Sequence, residues 1–324
     1  MRLNQLTGRW VTIVADRADR PTDFAPRGRQ IEADTNRPCP FCPGNEEATP
    51  PALEAVDEAG SWSIRIVPNL YPAFDGDDGF AVRHLGPVHV AAKASGIHEI
   101  FVFSPDHDGG LQHLDDRQAS DLMHALKRRF VDHAGTRHVR YTQAIVNHGH
   151  EAGASLSHPH GQLLGLPFVP GEVLDEERAF ARFVGGCVLC TTVEAEISSG
   201  ERIIFANDDV VVMCPYWSGS PYELLFVPQR HELHLQDADN DSLDAMGRAL
   251  RDATGFLNEA LGDIAYNVGF HTAPHQHAGE FHWHVHLWPN LHTIAGFERG
   301  TGVLINVVPP EQAAEVLRGV AALA

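Results

Sequence analysis

Lysine is nearly absent from this chain of 324 residues, standing only at positions 93 and 127, and basic residues of both kinds total 24 against 43 acidic ones. The lysine scarcity says nothing about chemistry, but the net charge of −19 does, because it repels a phosphate backbone and argues against nucleic acid as a partner. Long apolar runs are missing as well. The opening residues Met1-Arg2-Leu3-Asn4-Gln5 lack the apolar stretch of a signal peptide, and no later run is long enough to span a bilayer. No membrane partner is expected, and the cytoplasm is the expected location. Cysteine is scarce, at five residues, yet four of them form two C-x-x-C pairs, Cys39/Cys42 and Cys187/Cys190. Without an export signal, disulfides are disfavoured and metal ligation is the stronger reading. Cys214 stands alone in Val211-Val212-Met213-Cys214 and reads as a small buried hydrophobe.

What the chain has in abundance is histidine, 21 residues, arranged in a repeat. Cys39-Pro40-Phe41-Cys42 leads through β-like runs to Ser104-Pro105-Asp106-His107, a helix-period stretch and His158-Pro159-His160. Cys187-Val188-Leu189-Cys190 leads likewise to Pro228-Gln229-Arg230-His231, a second helix-period stretch and His282-Trp283-His284. His107 and His158 are 51 residues apart, and so are His231 and His282. Such equality marks an internal duplication. Leu122, Leu126 and Phe130 line one face of the first predicted helix, and Leu243, Met246, Leu250 and Leu257 one face of the second, with Gly262 as its stop. Strands are predicted at 64–67, 99–103, 210–213 and 223–227, and a last helix near Pro310-Glu311. Strands grouped around one long helix per half predict an α+β fold of two repeated halves, residues 1–175 and 176–324, each an antiparallel sheet packed with a helix. The boundary is placed between about Pro170 and Gly186.

In an extended strand residues two apart share a face, so His158, His160 and Gln162 are expected to point the same way. Cys39, Cys42, His107 and His158 form a Cys₂His₂ set suited to closing a tetrahedral zinc site, which leaves His160 free. Cys187, Cys190, His231 and His282 repeat that set. The spacing alone leaves two readings open, a structural zinc knot with an incidental third histidine, or a metal-braced strand that carries a reactive imidazole.

The segment Asn147-His148-Gly149-His150-Glu151-Ala152-Gly153-Ala154-Ser155-Leu156-Ser157-His158-Pro159-His160-Gly161-Gln162 resembles the active-site signature of the galactose-1-phosphate uridylyltransferase family, within the histidine-triad superfamily. Leu6-Thr7-Gly8-Arg9-Trp10-Val11, Asp16 to Pro21, Cys39 to Gly44, Ser104 to His107, Pro215-Tyr216-Trp217 and His284 to Pro289 are similar too, so the likeness runs nearly end to end. The resemblance implies that His160 is the nucleophile and His158 a zinc ligand. It implies that Ser155 and Gln162 bond the phosphoryl oxygens, that Arg17 and Arg20 clamp phosphates, and that Asn69 and Asn147 lie near the nucleotide and the active strand. Read as plain surface chemistry, Arg17 and Arg20 would pair with Asp16 and Asp19, and either Asn could cap a turn. The reaction implied is exchange of UMP between UDP-glucose and galactose 1-phosphate through a uridylyl-histidine, with a UDP-sugar and a sugar 1-phosphate as partners and a homodimer as the assembly. A neutral imidazole is a competent nucleophile for that step near pH 7.

The family's other metal site would use Glu176, His271, His284 and His286, all present here. Soft thiolates favour zinc, so the Cys187 set is expected to hold it, for two zinc ions per chain. The Glu176 set is then a secondary site, with iron as the alternative metal. Since His282, His284 and His286 are expected on one strand face, neighbouring metals there would crowd; without metal, these histidines would pack against Trp283 and Trp288. Ala154, Leu156-Ser157 and a 296–302 tail without lysine depart from well-known bacterial uridylyltransferases. The second C-x-x-C pair is similar instead to relatives that include an ADP-glucose phosphorylase branch, whereas Pro159 and Gly161 are uridylyltransferase-like. An adenylyl-specific transferase or phosphorylase is thus the nearest rival, and a non-catalytic, zinc-stabilised nucleotide-binding protein the rival from another class.

Overall fold

The computed structural model describes residues 1–15, 38–58 and 60–323. Its centre is a single ten-stranded sheet, antiparallel at every pairing. The chain opens with β1 (Arg2–Leu3) and β2 (Trp10–Ile13), which form a small separate sheet. The first half supplies β3 (Glu54–Glu58) and β4 (Ser61–Pro68), then a hairpin of β5 (Val82–Leu85) and β6 (His89–Ala92) lying outside the main sheet. It continues with β7 (Ile97–Val102), helix α1 (Asp116–Ala134), β8 (Tyr141–His148) and β9 (His160–Leu166). After α2 (Gly171–Arg182) and α3 (Val188–Ser199), the second half supplies β10 (Ile203–Ala206), β11 (Val210–Met213) and β12 (Leu224–Pro228). Then come α4 (Asn240–Leu261), β13 (Tyr266–His271) and β14 (His284–Pro289). A short α5 (Gly296–Thr301), β15 (Leu304–Asn306), which joins β2, and α6 (Pro310–Ala321) close the chain.

Read outward from the middle, the strand order is β8, β9, β7, β4, β3 on one side and β13, β14, β12, β11, β10 on the other. The two orders are the same five-strand plan, so the duplication seen in the sequence is a duplication of structure. The halves do not keep separate sheets, however: β8 and β13 pair along residues 144–148 and 266–270, which turns two five-stranded sheets into one.

One face of this sheet is covered by α1 and α4. Leu122, Leu126 and Phe130 of α1 and Leu243, Met246, Leu250 and Leu257 of α4 are all buried in one core with Phe101, Val146, Leu163, Val268, Phe270, Val285 and Leu287 from the strands. Alternation puts those strand residues on a common side. The helices approach closely because Gly247 has no side chain; a Cβ there would lie 2.1 Å from the Ala119 carbonyl oxygen. Asp115 starts α1 with a capping box to Gln118, and Asp239 caps α4 through the Ser242 N–H, while Gly262 ends α4 at φ 81°. On the opposite face, α2 and α3 cover the second half and the adjoining ends of β8 and β9, with Val173, Phe180, Val188, Leu189 and Val193 packed with Tyr141, Leu166, Val211, Met213 and Leu225. Over the first half the same face carries a small cluster of Phe41, Trp62, Val67, Ile100 and Val102. Cys214 is fully buried in the core, as a small hydrophobe should be.

Candidate active site and metal groups

His160 is the first residue of β9, and Gln162 follows on the same side of the strand, opposite Ile100 of β7 and Ile145 of β8. Asn147, two residues beyond Ile145, shares that side. Gly161 points the other way, where a Cβ would meet the Phe101 ring at 2.1 Å and the Ile145 carbonyl at 2.5 Å, so only glycine fits between His160 and Gln162. Contrary to the expectation of one extended run, His158 is not in the strand. It lies in the bend before Pro159, and β14 likewise begins at His284, with His282 outside it. Proline explains the first break, because its ring restricts the residue before it and removes an N–H from any ladder.

This bend sets the chemistry of His160. Its Nδ1 is 2.8 Å from the His158 carbonyl, to which Nδ1–H donates, so the lone pair of the neutral ring is on Nε2. Burial pushes the imidazole below its ordinary pKa, only partly offset by that same carbonyl bond, and the ring is neutral near pH 7. Phe41 packs on it at 5.2 Å between ring centres.

Cys39, Cys42, His107 and His158 are brought together with all four ligand atoms within 4.8 Å of one another. Cys42 Sγ is 3.3 Å from His107 Nδ1 and 3.6 Å from His158 Nδ1, against about 3.5 Å between sulfur and nitrogen ligands of a tetrahedral zinc. The remaining nitrogens are engaged elsewhere: His158 Nε2 donates to the Ser104 carbonyl at 2.9 Å, and His107 Nε2 is 3.1 Å from Ser157 Oγ. Burial also lowers the His158 pKa. The donor set, its spacing and its orientation fit zinc.

The second-half copy has the same form. Cys187, Cys190, His231 and His282 lie within the same limit, with Cys190 Sγ 3.5 Å from both His231 Nδ1 and His282 Nδ1. The third set, Glu176, His271, His284 and His286, is separate from it and wholly buried. His271 Nδ1 is 2.8 Å from Glu176 Oε1, while Glu176 Oε2, His284 Nε2 and His286 Nδ1 are buried without a hydrogen-bond partner. Burial alone would raise the Glu176 carboxyl, but His271 and His284 outweigh it and hold the group well below the usual carboxylate range. The crowding expected for the three histidines does not arise, since His282 turns to the thiolates before β14 starts. His286 does stack on Trp288, at 4.9 Å and 7°. His284 repeats the posture of His160, with Nδ1 2.8 Å from the carbonyl of His282, but its Nε2 faces Glu176 at 3.7 Å.

Other predicted site residues are placed as follows. Arg17 and Arg20 lie outside the described residues. Ser155 is exposed in the loop before His158. Asn69 sits at the end of β4 beside His98, its amide nitrogen 3.1 Å from the ring's Nε2. Asn147 accepts a 2.7 Å hydrogen bond from Asn267, which also donates to the Ala152 carbonyl at 2.9 Å. Neither His98 nor Asn267 was singled out by sequence reasoning. Each bonds a residue far off in the chain, and no local pattern announces that.

Comparison with known proteins matches the model of the galactose-1-phosphate uridyl transferase N-terminal domain to residues 1–170 and that of the C-terminal domain to residues 172–324. An ADP-glucose phosphorylase of Arabidopsis thaliana is 32% identical, over 99% of this chain and 92% of its own length. A galactose-1-phosphate uridylyltransferase of Thermotoga maritima is 27% identical, over 98% and 97%. Among solved structures, an ADP-glucose phosphorylase from Arabidopsis thaliana with bound ADP-glucose superposes with a TM-score of 0.83 at 30% identity, covering 98% of this chain and 97% of that one.

Proposed function

This chain belongs to the galactose-1-phosphate uridyl transferase family, and from that membership we propose that it transfers a nucleoside monophosphate from a nucleotide sugar to a phosphate acceptor through a covalent intermediate on His160. The observation that carries the reading is the His160 ring itself: neutral, with its lone pair on Nε2 and its Nδ1–H held by the His158 carbonyl. Nε2 attacks the α-phosphorus; the N–P bond forms as the bond to the leaving phosphate oxygen breaks, and the sugar 1-phosphate departs with that electron pair. The His158 carbonyl then faces an imidazolium and stabilises it. An oxygen of the acceptor phosphate attacks the same phosphorus in the second step, and Nε2 takes back its electron pair. Gln162 and Ser155 are assigned to the phosphoryl oxygens, Asn69 and Asn147 to the surroundings of the nucleotide and the active strand, and Arg17 and Arg20 to the phosphates. Zinc on Cys39, Cys42, His107 and His158 would lock the bend whose carbonyl orients His160.

In the first reading the nucleotide is UMP, moving between UDP-glucose and galactose 1-phosphate. A second reading, ADP-glucose with inorganic phosphate as acceptor, is favoured by the second Cys₂His₂ group and by the 32% identity to an ADP-glucose phosphorylase. The protein is incubated with UDP-glucose or ADP-glucose, without acceptor, and its intact mass measured under non-acidic conditions. A uridylyl or an adenylyl adduct on His160, with release of glucose 1-phosphate, is expected and names the base. No adduct with either donor, or an adduct that survives His160→Asn, overturns the mechanism.

A further inference from the structure

We propose that His98 is a positioning residue of this site, which turns the Gln162 side chain so that its NH₂ group, and not its carbonyl, is free to face the phosphoryl group on His160. The inference rests on the nucleotidyl-transfer reading above.

His98 lies in β7, on the same side of the sheet as Ile100 and hence as Gln162. Both nitrogens of its ring are committed. The backbone N–H of Ala73 donates to Nδ1 at 2.9 Å, and since a backbone amide can only donate, Nδ1 must carry the lone pair. The single proton of the neutral ring is therefore on Nε2, which lies 2.9 Å from Gln162 Oε1. A carboxamide has one oxygen and one nitrogen, so an oxygen spent on His98 leaves the two N–H donors for the other side.

Phosphoryl oxygens only accept. With the amide reversed, Gln162 would set a carbonyl lone pair against them and an N–H against the proton of His98, losing both contacts at once. The loop after β4 braces the arrangement. Tyr71 N–H donates to Asn69 Oδ1 at 2.9 Å, which fixes the Asn69 amide. Its nitrogen, 3.1 Å from His98 Nε2, could bond that atom only by donating to a lone pair; with the lone pair on Nδ1 it makes no such bond, and the ring proton goes to Gln162 Oε1, the acceptor of the two neighbours. The backbone of Ala73 thus decides, through one imidazole, which end of Gln162 meets the substrate.

The test is the single-turnover rate of His160 nucleotidylation, with the donor that the wild type accepts, in His98→Leu, Gln162→Ala and the double variant. His98→Leu is expected to slow the step about 10-fold or more, with a smaller change in the donor's Kd. If His98 acts through Gln162, the double variant is slower than Gln162→Ala by no more than about twofold. His98→Gln, which can still accept from Ala73 and donate to Gln162, should recover part of the rate. Should His98→Leu unfold, Gln162→Glu carries the test. It keeps an acceptor for His98 and puts an anionic oxygen in place of the NH₂ group, so it is expected to be at least as slow as Gln162→Ala. Losses that multiply in the double variant, a wild-type rate in His98→Leu, or a wild-type rate in Gln162→Glu overturns the inference while leaving the reaction intact. A wild type that forms no adduct on His160 overturns the reaction and this inference with it.

Discussion

Burial does different work at different residues of this protein. At His160 it keeps an imidazole neutral and therefore nucleophilic. At Glu223, which precedes β12, it acts on a carboxyl: full burial pushes the pKa up to about 7, against N–H groups of Gly219 and Ser220 that pull it down. Because the folded protein binds this proton more tightly than the unfolded chain does, the contribution of Glu223 to stability is complete below about pH 4.5. It is lost as pH rises towards 7 and is level above that. At 1.36 kcal/mol per unit the loss is about 3 kcal/mol. Glu223→Gln keeps an acceptor for both N–H groups and cannot ionise. Denaturant unfolding between pH 5 and pH 8 should therefore show the variant gaining on the wild type up to about pH 7 and then holding constant. A difference that does not change with pH would mean that Glu223 is not titrating in the fold.

Among the elements, the two long helices were legible because their apolar residues recur at helical spacing, and that spacing survives any tertiary context. Of the shorter helices only α6 was, from its Pro310-Glu311 start; α2, α3 and α5 were not. Cys187 is the N-cap of α3, where its Sγ accepts from the Cys190 N–H at 3.5 Å, so a residue chosen for metal also starts a helix. A zinc on Cys187, Cys190, His231 and His282 would tie the start of α3 to the segment after β12 and to the entry of β14. Metal analysis is expected to find two zinc ions per chain. Cys187→Ser should lose one of them and lower the unfolding midpoint, while the group around Cys39 keeps its own. A zinc content unchanged in that variant would show that the thiolates of α3 hold no metal.

At the scale of the whole molecule, the seam between β8 and β13 is what makes two repeats one protein. Asn267 of β13 crosses it to hold Asn147 and the Ala152 carbonyl, so the loop that leads into His160 is braced by the other half. Residues 1–170 expressed alone would expose the edge of β8, a row of unpaired N–H and C=O groups next to a buried apolar face. Such a fragment is expected to aggregate or self-associate, by light scattering, and to dissolve as a folded species only when mixed with residues 172–324. A monomeric, cooperatively folding fragment would mean that the seam contributes little.

Composition, spacing and periodicity by themselves determined much of this. They established the absence of long apolar runs, the duplicated order of C-x-x-C, long helix and H-x-H, and the membership of each Cys₂His₂ set. These features are local or repeat at fixed separations, so a single chain displays them. The resemblance of Asn147 to Gln162 to a known signature added His160 as the proposed nucleophile. Only the tertiary structure decided that the two sheets fuse into one, that His158 and His282 fall before their strands, and that all three ligand sets are preformed and separate. It also placed His98 between the Ala73 N–H and Gln162 Oε1. The reason is the same in each case: strand pairing and side-chain hydrogen bonds join residues by distance in space, through partners that nothing in the local sequence distinguishes from ordinary polar residues.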